Sequence, residues 1–149
     1  MASATSEPDA NPELSAGGVV VRQGEVAVIV PVKRDGQGNR VLGLPKGHGE
    51  GEESPEQAAR REVLEETGVR AELIEKLGDV HYSYERRGRM VDKEVAFYLF
   101  AYRSGDVADH DHEIEEARWI SLKEASRSLT YAGEREIVVR AMSRLAADR

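Results

Sequence analysis

GHGEGEESPEQAARREVLEETGV, residues 47–69, is the stretch on which the reading of the whole chain turns. A loop of glycine and glutamate runs to Glu53. Ser54 and Gln57 then stand three apart with Pro55 between them, a capping box with proline at the first helical position. Gly68 follows Thr67 and can take the left-handed conformation that ends a helix. A helix is therefore predicted over residues 55–66. At 100° per residue it sets Glu62, Glu65 and Glu66 within an arc of about 100°, on one face. Glu62 repels both neighbours, at ~0.2–0.5 kcal/mol per pair, and the last two occupy the final turn, where the helix dipole disfavours an anion by roughly 0.3–1 kcal/mol. Arg61 precedes Glu65 by four positions, the weaker order for an ion pair. Selection for stability alone would not choose this face. A hard divalent cation such as Mg²⁺ or Mn²⁺ would turn the repulsion into coordination, so the face reads as a metal platform.

Outward from this helix the pattern is strand-rich. Upstream, residues 17–21 and 26–32 are valine-rich runs split by Gln23-Gly24, which predicts two strands around a tight turn. A turn at residues 35–39 and a short strand at 41–44 follow, and residues 46–53 are read as a loop. Downstream, residues 69–84 and 90–103 are predicted strands flanking a basic turn at 85–89, and residues 113–120 form another. A second capping box, Ser121 to Glu124, opens a short helix to about residue 129. Ile137, Val138, Ala141 and Leu145 mark a last helix over residues 134–147. The order of elements predicts an α/β (α+β) fold, a mixed sheet layered between helices.

A chain of 149 residues is one domain in size. Residues 1–14, polar and poor in anything that could be buried, are expected to be a mobile tail, with a single domain over 15–149. The formal charge is −7, from 21 basic and 28 acidic side chains, and no basic block is long enough for a nucleic-acid arm, which argues against duplex binding. Cysteine is absent, so disulfides, thiolate-held metals and thiol nucleophiles are excluded, and any metal must sit on oxygen or imidazole. No membrane span and no signal peptide is legible, and a cytoplasmic setting is the expectation.

Residues 47–69 match, at every specified position, the signature of the Nudix hydrolases: Gly, five residues, Glu, seven residues, Arg-Glu, an aliphatic, one residue, Glu-Glu, one residue, Gly, an aliphatic. The resemblance implies an α/β/α sandwich with a mixed sheet and a phosphoanhydride hydrolase using Mg²⁺ or Mn²⁺. It implies that Glu62, Glu65 and Glu66 bind metal, that Glu53 is a more peripheral acid, that Arg61 orients its neighbours, and that the backbone carbonyl of Lys46 completes the shell. Glu65 and Glu66 are the nearest candidates to position or deprotonate the attacking water; some members place the base on a later loop, where Glu113 is the best match, with Glu115 and Glu116 as competitors.

Residues 44–48, LPKGH, and the upstream AGGVVV resemble the branch acting on diadenosine polyphosphates, diphosphoinositol polyphosphates and 5′-triphosphate RNA ends. Dinucleoside polyphosphates are the expected substrates, with oxidised nucleoside triphosphates, ADP-ribose and RNA ends as rivals, and a non-catalytic nucleotide-binding domain as the rival from another class. A long polyphosphate needs cations beyond the metals. Lys46, His48, Arg87, Arg89 and Lys93 are the candidates, and Tyr82 and Tyr84, on one face of their strand, are candidates to stack a base. Trp119 is expected in the core. The expected assembly is a monomer or homodimer.

Overall fold

The computed structural model describes residues 13–147, so the expected tail lies, over residues 1–12, outside the described residues. Strands β1 (Glu13–Arg22) and β2 (Glu25–Pro31) meet at Gln23 and Gly24, whose φ values of 50° and 82° make a two-residue turn of type I′ that matches the twist of the strands. Order was expected from Ser15. Glu13 and Leu14 already stand in β1, where they pair with Lys93 and Glu94.

Strand β3 (Lys46–His48) occupies part of the expected loop, and the expected strand at residues 41–44 is instead a single bridge between Ile29 and Gly43. Both corrections have one cause. β2 pairs with β1 only at Val21–Val26 and Arg22–Glu25 and then diverges, and the opening beside Ser15, Ala16 and Gly17 is filled by His48, Gly47 and Lys46. Helix α1 (Pro55–Thr67) follows, capped as predicted: Ser54 Oγ accepts from the Gln57 N–H at 3.1 Å, Gln57 Oε1 accepts from the Ser54 N–H at 2.9 Å, and Gly68 closes the helix at φ 77°.

Strands β4 (Val69–Arg86) and β5 (Arg89–Gly105) form a long antiparallel ribbon closed by a second positive-φ pair, Arg87 and Gly88, at 53° and 78°. A 3₁₀ turn (Val107–Asp109) leads to β6 (Ile114–Ser121), then helices α2 (Leu122–Ser128) and α3 (Ala132–Ala147). The sheet runs β4-β5-β1-β2-β6, with β3 beside β1; β1 and β5 are parallel and the other pairings antiparallel. This is the mixed sheet between helices that the sequence predicts.

β1 is the middle strand and is buried on both faces. Ala16 and Val20 join Ala58, Ala59, Val63 and Phe100 under α1, whereas Val19 joins Leu99, Leu129, Ile137 and Val138 under α2 and α3. Trp119, expected in the core, is only half-buried: its ring carries the Arg22 guanidinium at 4.1 Å and meets Tyr102 edge-on at 5.7 Å. α1 packs tightly over Gly18, where a Cβ would lie 2.6 Å from the Phe100 ring and 2.9 Å from Val63 Cγ2. Gly18→Ala is therefore expected to lower stability by roughly 1–3 kcal/mol in urea denaturation. Gly36→Ala, at a position with open space around it, serves as the control and should change stability by less than about 0.5 kcal/mol.

Candidate functional site

Loop 46–53 wraps the first turns of α1 and is fastened by one side chain. Arg61 Nε and Nη2 donate to the two oxygens of Glu53 at 2.8 and 3.1 Å, a bidentate pair, and Nη2 also donates to the His48 carbonyl at 2.8 Å. Its Nη1 donates to Glu62 Oε2 and Glu65 Oε1, each at 3.1 Å, with Glu50 at 3.6 Å. The hydrogen bonds from Arg61, and then the Glu50 N–H, hold Glu53 below the usual carboxylate range, while Arg61 is held more firmly protonated, Glu53 first among the causes.

Two carboxylates turn inward. Glu62 is 9% exposed and pressed against the main chain of β3, where a Cβ on Gly47 would fall 2.2 Å from its carboxyl carbon. Only glycine fits between strand and acid at that point. Glu66 accepts the Lys46 N–H at 3.0 Å. Burial raises the Glu62 pKa; Arg61 opposes the rise, and Glu65 and Glu113 add to it. Burial likewise pushes Glu66 up to about 8 against the pull of the Lys46 N–H, with the charges of Glu62 and Asp111 adding to the rise. Glu65 stays exposed.

The segment after β5 closes over the C-terminal end of α1. The Asp111 N–H donates to the Glu65 carbonyl at 2.8 Å, satisfying a carbonyl that the helix leaves unpaired, and Asp111 Oδ1 accepts from the Glu113 N–H at 3.1 Å. Glu113 is thereby carried, exposed, to where its charge is felt by Glu62. Its competitors are committed elsewhere: Glu115 pairs with Arg34 and Arg40, and Glu116 with Arg118 at 3.3 Å. Asp111 has no motif to mark it in the sequence, and only the fold brings its charge to Glu66.

The remaining candidates lie across the sheet. Alternation along β3 points Gly47 to α1 and the Lys46 side chain to the α3 face, where Nζ sits 2.9 Å from Glu134 Oε2. Burial lowers the Lys46 pKa, but the charge and hydrogen bond of Glu134, with Glu66 behind them, outweigh it and leave the ammonium above its ordinary value. Tyr82 donates to the same Glu134 oxygen at 2.8 Å and meets the Tyr131 ring edge-on at 5.5 Å. Lys93 stands directly across from Tyr82 and Val91 across from Tyr84, so these side chains share the α3 face of the ribbon, with Arg87 and Arg89 at its tip. The carboxylates and this second group are therefore separated by the thickness of β3. Glu134 and Tyr131 were not anticipated; a lone acid in an apolar helical stripe was the available signal.

The acids fit a hard divalent cation by their chemistry. They are oxygen donors, partly desolvated, mutually repelling, and backed by main chain that can come close because residue 47 has no side chain. Among the described residues no three acids or histidines close on one point, since Glu62 and Glu65 each turn an oxygen to Arg61 and Glu66 turns one to the Lys46 N–H.

Comparison with known proteins places this geometry. Residues 12–141 match the family model described as NUDIX domain. MutT4 of Mycobacterium tuberculosis, named as a mutator protein, is 39% identical over 131 residues, covering 84% of this chain and 52% of its own length. The asymmetrical bis(5′-nucleosyl)-tetraphosphatase of Caenorhabditis elegans is 32% identical over 90 residues, covering 59% of this chain and 64% of its own. The chain spans about half the length of MutT4 and of two Nudix hydrolases of Arabidopsis thaliana that it also matches. A NUDIX hydrolase from Nitrosomonas europaea superposes with a TM-score of 0.74 at 23% identity, over 89% of this chain and 90% of that one, a likeness of fold. With the family model covering most of its length and the carboxylates of residues 47–69 gathered around Arg61, the chain belongs to the NUDIX domain family.

Proposed function

We propose that this chain hydrolyses a phosphoanhydride bond in a nucleotide polyphosphate with a divalent cation, Mg²⁺ or Mn²⁺, held by Glu62, Glu65 and Glu66. The observation that carries the reading is the desolvated pair, Glu62 against Gly47 and Glu66 on the Lys46 N–H, two inward acids whose shared charge is best relieved by a cation. When bound, the cation neutralises pyrophosphate oxygens and lowers the pKa of a water. Arg61 keeps Glu62 and Glu65 in place and holds the 46–53 loop against α1 through His48 and Glu53. Glu113, exposed and electrostatically coupled to Glu62, is the residue assigned to take a proton from the attacking water, at the edge of the carboxylate cluster.

The substrate class follows from the second group. Lys46 spends its ammonium on Glu134, so the cations that a chain of four or more phosphates requires are assigned to the ribbon, where Arg89 and Lys93 lie on the Tyr82 face and Arg87 in the turn. Dinucleoside polyphosphates suit that layout, and the likeness to the tetraphosphatase supports it. The likeness to a relative named 8-oxo-(d)GTP phosphatase in Mycolicibacterium smegmatis, 32% identical over 101 residues, favours a second reading, hydrolysis of oxidised nucleoside triphosphates.

Incubation with Mg²⁺ and a panel of diadenosine tetra- to hexaphosphate, ADP-ribose, 8-oxo-dGTP and triphosphate-ended RNA, with products resolved by chromatography, separates the readings. Release of ATP from the diadenosine compounds, reduced on the order of 100-fold or more in a folded Glu62→Gln variant, is the expected result. Preference for 8-oxo-dGTP selects the second reading, and no turnover of any compound by the wild type leaves a nucleotide-binding domain.

A pH dependence follows from Glu66. Its folded pKa, about 8, lies above the unfolded value, so the folded chain binds more protons than the unfolded one between the two, and stability is lost as pH rises through that window. In chelator, the metal-free wild type should lose on the order of 1–3 kcal/mol between pH 4.5 and pH 9 through this group, and Glu66→Gln should remove that part of the slope. Equal slopes in the two proteins, measured by urea denaturation across the range, would refute the assignment.

A further inference from the structure

Glu134 is the most deeply buried acid among the described residues, with no solvent exposure, and it stands in the first turn of α3, a place where an anion is favoured by the helix dipole. Both its oxygens are used. Oε1 accepts the Leu44 N–H at 2.9 Å; Oε2 accepts from Tyr82 at 2.8 Å and meets Lys46 Nζ at 2.9 Å. If the Glu134–Lys46 pair served folding alone, apolar side chains of similar volume in place of both partners would do as well. Its partners are not scattered, however. Leu44 and Lys46 bracket Pro45, whose carbonyl is fixed by the Gly18 N–H at 3.1 Å, and the next residue is the glycine against which Glu62 is pressed. The Lys46 N–H is the donor to Glu66. One residue thus faces two ways: its side chain is gripped by α3 and its main chain receives α1.

We infer that Glu134 is a positioning residue for the metal site on the other side of the sheet, acting through Lys46 to hold the Lys46–Gly47 main chain at the depth that Glu62 and Glu66 require. This rests on the reading of those acids as cation ligands. Freed from Glu134, the lysine side chain turns to solvent, β3 loosens against β1, and the inward acids lose the wall that aims them. Tyr82, held by the same oxygen, reports the state of the link without belonging to the metal site.

The test is the affinity for Mn²⁺, read from the paramagnetic resonance signal of the free ion, in wild type, Glu134→Gln, and Ile137→Ala, the last being a buried α3 residue one turn on that touches neither Leu44 nor Lys46 in the hydrogen-bond network. Glu134→Gln should weaken Mn²⁺ binding by about 10–100-fold, the usual effect of removing a residue that orients a ligand shell. Ile137→Ala should lower Tm and leave the affinity within about 3-fold. In a Lys46→Met background, which also removes the unpaired charge and guards against misfolding of the single variant, Glu134→Gln should have little further effect on affinity, as expected for two groups on one path. Unchanged affinity in Glu134→Gln, an equal loss in Ile137→Ala, or full additivity with Lys46→Met overturns the role of Glu134. A wild type that holds no Mn²⁺ overturns the metal-site reading itself, and this inference with it.

Discussion

One guanidinium holds the site in place. Arg61 faces Glu50, Glu53, Glu62 and Glu65, four negative charges to its single positive one, and it also carries the His48 carbonyl. Without it His48 and Glu53 lose their hydrogen bonds to α1, and Glu62 and Glu65 lose their common partner. The arrangement is undercharged by design of the sequence: one cation for four acids leaves a standing excess of negative charge at the C-terminal half of a helix whose dipole already disfavours it. Such an excess costs stability in the metal-free chain, and a divalent ion held as proposed would relieve it.

The other constraint is space. β1 and β2 separate after one turn of pairing, and the gap between them admits three residues, Lys46–His48, of which the middle one cannot bear a side chain on the α1 side. Pleating does the rest. Because consecutive residues face opposite ways, Lys46 and Gly47 connect the two cores, one under α3 and one under α1, through a strand too short to bend. The sheet is thus a coupling element as well as a partition between the carboxylates and the aromatic group of Tyr82 and Tyr131.

Much of this was legible beforehand because it is local. Ser54, Pro55, Gln57 and Gly68 write the helix and its ends into adjacent positions, and helical spacing alone puts Glu62, Glu65 and Glu66 on one face. What escaped is long-range. Nothing near Lys46 in the chain announces that its ammonium will be taken by Glu134, some ninety residues on. Lysine in a loop reads as a cation for phosphate, and only the pairing of β3 with β1 turns its side chain away from the acids. The same holds for Asp111, ordinary in sequence and brought to Glu66 by the closure of its loop on the Glu65 carbonyl. The strand expected at residues 41–44 failed for a related reason: hydrophobic alternation marks what is buried, and Val41 and Leu44 are buried, but β2 offers that segment only one bridge.

The division of labour between the two faces bears on how such a domain can change its substrate without losing its chemistry. The direct contacts of the acids, with Arg61, Gly47, the Lys46 N–H and the α1 cap, are all contained in residues 46–68. The α3 face depends on Tyr82, Lys93 and Tyr131, which come from the ribbon and the connection between α2 and α3. A substitution on the ribbon reaches the carboxylates only through Lys46, and Lys46 is held on that side by a buried acid rather than by substrate. With the Lys46 side chain committed to Glu134, the rest of the ribbon and the α3 face can vary in sequence while the inward acids keep their depth, provided that link is kept.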